Sequence, residues 1–158
     1  EGPYMLGEQL YDKLDYARFC ADTPLEDRMY EVAKLGKAEW LRRLHKEGVK
    51  WNPQTTMIAA QFGNPECIRV AVALGCPRHP QTAAWAARNG HPECIRISRE
   101  LGFKWHQWTT FWVVMNGHAE CLRVVRELGC PWALDTRRCA EDREDNAMLD
   151  VLDELGCP

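Results

Sequence analysis

The stretch 116–132, NGHAECLRVVRELGCPW, decides how the rest of the chain is read. The same text recurs 27 residues earlier at 89–105, NGHPECIRISRELGFKW. It recurs again at 62–78, FGNPECIRVAVALGCPR, and at 35–51, LGKAEWLRRLHKEGVKW. Self-similarity at a fixed period between about 20 and 50 residues marks a stacked array, in which each unit buries its apolar face only against its neighbours. Every other residue is therefore read by its place in a 27-residue period.

The period carries helix punctuation. A short first helix stops at Gly36, Gly63, Gly90 and Gly117, since glycine takes the left-handed conformation of a helix end without penalty. Asn64 then reads as the cap of a second helix, with Pro65 and Pro92 suited to its first turn. Glu39, Glu66, Glu93 and Glu120 fall in that first turn, where the helix dipole favours a carboxylate. Leu41, Ile68, Ile95, Leu122 and Leu149 form one apolar column of the second helix, and Leu74, Leu101, Leu128 and Leu155 another. Gly48, Gly75, Gly102, Gly129 and Gly156 end it, and Thr55, Thr82, Thr109 and Thr136 are expected to cap the next first helix. Ala59-Ala60, Ala86-Ala87 and Val113-Val114 are small enough to let helices approach closely.

Four clear units span 25–135. Residues 1–24 predict a degenerate repeat or N-terminal cap, with Met5, Leu6, Leu10, Leu14 and Ala17 at helical spacing and Leu14 falling 27 before Leu41. Thr23, Pro24 and Glu26 suggest a capping box opening a helix that ends at Leu35. Residues 136–158 predict a polar capping repeat in which Glu144 replaces the glycine between the helices. The whole is expected to be a single all-α domain, a solenoid of stacked antiparallel helix pairs.

The core A-A-x-x-G-H-x-E-C-[LI]-R-x-x-x-x-x-G, over roughly 28–158, resembles the ankyrin repeat, in a short form ending in Gly-Cys-Pro-Trp. The usual ankyrin repeat is about 33 residues long and carries T-P-L-H. This chain has a shorter period and lacks that motif, so the resemblance implies helix pairs with little or none of the family's β-hairpin. It also implies a protein-interaction module.

The 158 residues carry a net charge of −3, which gives no general case for nucleic acid or an anionic membrane. No apolar run approaches the ~20 residues of a membrane span. The chain begins at Glu1, which leaves room for an upstream or transit segment. Six of the eight cysteines fall into two repeat columns, Cys67, Cys94 and Cys121 and then Cys76, Cys130 and Cys157. Stacked helices lie about 8–10 Å apart, whereas a disulfide needs Cα atoms within ~7 Å. Reduced thiols packed as small apolar groups are expected, which suggests a reducing intracellular compartment (cytoplasm, nucleus or organelle interior). Neither a metal site nor a cofactor motif is expected.

Function is sought where the copies disagree. Seven tryptophans are many for this length. Trp51, Trp105 and Trp132 share a loop position and read as packing; Trp85 and Trp112 share a first-helix position, and Trp108 stands on a loop. The expected contact surface is Trp85, Arg88, Trp108, Trp112 and Met115, because tryptophan and arginine concentrate in binding hot spots. A basic ladder, Arg42, Arg69, Arg96 and Arg123, could meet phosphates, giving nucleic-acid binding as an alternative. Against it, Arg96–Glu100 and Arg123–Glu127 have the spacing of helix-supporting i,i+4 pairs. His91 and His118 are repeat-equivalent, and the ankyrin resemblance implies that they make hydrogen bonds that fix the turn. Without a nucleophile elbow, phosphate loop or metalloprotease motif, the sequence suggests no enzyme. A permanently buried subunit of a large assembly is a further alternative to an interaction module.

Overall fold

The computed structural model describes residues 7–158, with side chains from Asp12 onward. Met5, Leu6 and the side chain of Leu10, three members of the expected first apolar face, lie outside the described residues. The described residues hold eleven α-helices and no strand: α1 (Gly7–Asp22), α2 (Arg28–Leu35), α3 (Ala38–Lys46), α4 (Thr55–Gln61), α5 (Pro65–Ala73), α6 (Thr82–Arg88), α7 (Pro92–Glu100), α8 (Thr109–Met115), α9 (Ala119–Glu127), α10 (Thr136–Asp142) and α11 (Asn146–Glu154). The first helices α2, α4, α6, α8 and α10 stack in one layer, and α3, α5, α7 and α9 in the other. Each unit is thus a helix pair, and the pairs form an all-α solenoid.

The core runs between the two layers. Leu41, Ile68, Ile95 and Leu122 are fully buried, as are the paired small residues Ala59, Ala60, Ala86 and Ala87 of the first helices. Burying a leucine or isoleucine side chain stabilises by roughly 1.5–3 kcal/mol, so one column repeated along the stack is a main source of stability. Leu149 continues the column but is only partly buried.

Turns are where the sequence reading needs correction. Thr55, Thr82, Thr109 and Thr136 are the first residues of their helices rather than N-caps. Each hydroxyl donates backward to the carbonyl three residues earlier: to Asn52 at 2.7 Å, His79 at 2.9 Å, His106 at 2.7 Å and Ala133 at 2.8 Å. This locks the connecting loop onto the helix. Thr56 adds a link between units, its Oγ1 lying 3.0 Å from Thr82 Oγ1 and accepting from His79 N; Thr110 does the same toward Thr136 and Ala133 N.

Asn64 stands at the N-cap position but makes no cap bond. Its Nδ2 instead donates to the carbonyls of Ala33 and Lys34 in the preceding unit. His91 takes the equivalent place, with Nε2 3.0 Å from the Gln61 carbonyl. These residues tie one unit's inter-helix turn to the one before it. Close approach is required: a Cβ on Gly63 would meet His91 Nδ1 at 2.7 Å, and Gly63 has φ 74°.

The N-terminal unit also differs. The residues expected to form a capping box instead pass through a 3₁₀ turn at Leu25–Asp27, and α2 begins at Arg28, whose guanidinium donates to the carbonyls of Thr23 and Cys20. Leu14 is 58% exposed and does not extend the buried column. Tyr16 packs α1 instead: it is buried, meets Trp40 edge-on at 5.4 Å, and donates its hydroxyl to Glu47 Oε2 at 2.8 Å. Trp40 Nε1 donates to Asp12 Oδ1 at 3.0 Å. Among the described residues, an aromatic pair and two polar bonds hold the first helix against the stack.

Candidate functional site

The outer face of the second helices carries Arg42, Arg69, Arg96 and Arg123, and every one is matched by a carboxylate. Arg42 meets Glu39 at 3.1 Å. Arg69 meets Glu66 at 3.5 Å and Glu100 at 2.9 Å. Arg96 reaches Glu127 at 3.3 Å, and Arg123 reaches Glu154 at 3.1 Å. The i,i+4 pairs expected from the sequence are therefore replaced by pairs to the next repeat, because an arginine pointing along the stack finds the following unit's glutamate. The ladder is internally neutralised. Exposed pairs of this kind contribute about 0–1 kcal/mol each, and a compensated row offers little to a phosphate backbone.

The loop tryptophans are also accounted for within the stack. Trp51, Trp105 and Trp132 are partly buried against the core. Arg99 lies over Trp105 at 4.6 Å and donates to the Phe103 carbonyl. Arg126 lies over Trp132 at 4.3 Å and donates to the Cys130 carbonyl. In both, an arginine of the last helical turn clamps the following loop through a carbonyl and a ring face. Trp51 stacks on His45 at 5.5 Å.

The first-helix face is different. Trp85, Arg88, Trp108, Trp112 and Met115 are all partly exposed and lie on or at the start of α6 and α8, in adjacent units. Arg88 sits over the Trp85 ring at 4.9 Å, and Trp85 Nε1 donates to Gln81 Oε1 at 3.4 Å. Trp112 stacks nearly parallel on His106 at 4.7 Å, and Trp108 meets Phe111 edge-on at 5.8 Å. The Asn89 and Asn116 amides donate to the carbonyls of Trp85 and Trp112, pinning the backbone beneath both rings. The face is preorganised: its large rings are held by neighbours while keeping surface free.

A groove of about 400 Å³ continues this face toward the C-terminal unit, lined by Phe111, Met115, Asp135, Arg138, Cys139, Asp142 and Arg143. Met115 places one end of the expected contact set in it. Phe111 and Arg143 were missed by sequence reasoning. The signal was available at Phe111, whose repeat equivalents Met57 and Ala84 are smaller, non-aromatic side chains. Arg143 was hidden because its equivalents Asn89 and Asn116 read as turn residues.

All eight cysteines are free. Burial pushes the thiols of Cys67, Cys94 and Cys130 up to about 12, and those of Cys76 and Cys121 to about 11. Such thiols stay protonated and act as small apolar side chains. Among the described residues no group of three His, Cys, Asp or Glu side chains is placed to hold a metal ion, and no helix is long and apolar enough to cross a membrane.

No protein-family model and no curated protein matches the chain.

Proposed function

We propose that the chain is a protein-interaction module built from short ankyrin-like repeats, and that it binds a protein partner through its first-helix face. The observation carrying this reading is the contrast between the two faces. The arginines of the second helices are spent on glutamates of the stack, whereas Trp85, Arg88, Trp108, Trp112 and Met115 are held in place yet remain partly exposed where the repeats differ from one another. Rigid aromatic side chains give large contact area and lose little entropy on binding. The role is recognition without catalysis, and the free thiols fit a reducing compartment.

The test is a paired variant, Trp112→Ala with Met115→Ala, assayed beside wild type for co-purifying proteins and for helical circular dichroism. Retention of the fold with loss of the captured partner supports the reading. A folded double variant that captures the same partner in equal amount sinks it.

A further inference from the structure

We infer that the segment recognised by the first-helix face is an extended acidic peptide, rich in apolar residues, whose carboxylates are spaced about five to six residues apart. The inference rests on the interaction reading above and deepens it by naming the partner's chemistry.

Lys34, Arg88 and Arg143 all sit at the C-terminal ends of first helices, Lys34 and Arg88 at the same repeat position and Arg143 one residue beyond it. Among the described residues none of the three has a carboxylate within 4.0 Å. Two are laid on aromatic rings instead, Lys34 over Phe62 at 5.4 Å and Arg88 over Trp85 at 4.9 Å. Arg143 lines the groove with Phe111 and Met115. The acids of this edge are Glu31, one turn before Lys34, Asp142, already facing Arg138 at 3.8 Å, and Glu141 and Glu144, which flank Arg143 in sequence without an ion pair to it. Asp135 also lines the groove. Cations fixed on aromatic rings beside exposed apolar side chains are complementary to carboxylates interleaved with apolar residues.

Spacing separates a peptide from a nucleic acid. The three cations are two repeats apart, 34 to 88 to 143. With neighbouring helices about 8–10 Å apart, that is about 16–20 Å between cations. An extended peptide covers this in about five to six residues at ~3.3 Å each. A single-stranded nucleic acid presents a charge at every nucleotide and needs a continuous basic groove. Here the intervening positions are Gln61 and Met115, and the adjoining C-terminal unit holds eight acids against three arginines over 134–158. A polyanion would meet repulsion there, whereas separate carboxylates would meet single cations, with Phe62, Trp85, Trp112 and Met115 for the apolar residues between them.

The experiment uses the whole chain and three fluorescein-labelled 17-residue peptides of leucine, alanine and serine, read by anisotropy. One carries three glutamates six residues apart, one carries lysines at those places, and one has its three glutamates adjacent. The spaced-glutamate peptide is expected to bind about tenfold more tightly than either of the others, with affinity falling as salt is raised. Arg88→Gln and Arg143→Gln should each weaken it several-fold, while Arg123→Gln, on the opposite face, should leave it unchanged. Equal binding of the lysine peptide, equal binding of the adjacent-glutamate peptide, or no binding of any peptide overturns the inference. Tighter binding of labelled oligo-dT overturns it in favour of nucleic acid. A native partner lost from the Trp112→Ala, Met115→Ala variant yet retained by Arg88→Gln and Arg143→Gln removes the charge inference and leaves the interaction reading standing.

Discussion

Glu144 occupies the place that Gly36, Gly63, Gly90 and Gly117 fill in the other units, and it adopts the same left-handed backbone, with φ 53°. The stack dictates the conformation: the turn must close α10 onto α11 as the earlier turns close their pairs, and its Asp145 N donates to Ala140 O at 3.0 Å as His91 N does to Ala86 O at 2.9 Å. A side chain in that conformation costs about 1 kcal/mol relative to glycine, because Cβ crowds the following carbonyl. Glu144→Gly is therefore expected to raise stability by roughly 1 kcal/mol, partly offset by the greater freedom glycine gives the unfolded chain. Urea unfolding of the two proteins measures it; a lower midpoint for Glu144→Gly would show that strain at the last turn is smaller than the entropy glycine adds to the unfolded chain. At this scale the glycines were legible because only one residue type fits the geometry without strain. The threonines misled, because a residue that caps helices well is equally able to begin one and bond backward.

At the scale of the element, the second helices are joined by arginine–glutamate bridges crossing from one unit to the next. Sequence spacing pairs Arg96 with Glu100, four residues on in the same helix. The structure assigns Glu127 to Arg96 at 3.3 Å and leaves Glu100 to Arg69 at 2.9 Å. Contact order along the chain and contact across a stack are different quantities, and a repeat makes the second systematic. Double-mutant cycles distinguish the two. Arg96→Ala with Glu127→Ala should show a coupling of a few tenths of a kcal/mol, and Arg96→Ala with Glu100→Ala should be additive. Coupling to Glu100 alone would restore the intrahelical pairing. The inter-helix turns illustrate the same limit: Asn64 and His91 look like local turn residues, yet their side chains bond to the preceding unit.

For the whole molecule, the period specified the architecture because stacking is the only way each 27-residue unit can bury its apolar columns. The site was legible in part. Trp85, Arg88, Trp112 and Met115 stand out as deviations from the repeat, but the charge balance of each face depends on which arginine meets which glutamate, and that needs coordinates. The cysteine columns have a consequence for the entire stack. Cys67, Cys94 and Cys121 line its interior, and burial holds them at about 12, 12 and 11, with nearby Glu66, Glu93 and Glu120 adding to the rise. Cys130 is raised to about 12 by burial against the opposing pull of Arg126 and Arg99. In the unfolded chain these thiols titrate near 9. Below that pH both states are protonated and the thiols contribute no pH dependence. Above it the unfolded chain loses protons that the folded chain keeps, so stability must fall as pH rises from 9 toward 11–12. Urea midpoints measured at pH 7, 8, 9 and 10 should stay level up to 8 and drop beyond 9. Lysine and tyrosine also titrate in that range, so the informative comparison is Cys94→Ala. That variant should be less stable at pH 7 through lost packing, yet lose less between pH 8 and 10 than wild type does. Parallel pH curves for the two proteins would mean that the thiol ionises as easily in the stack as outside it, and that the cysteine column is open to water.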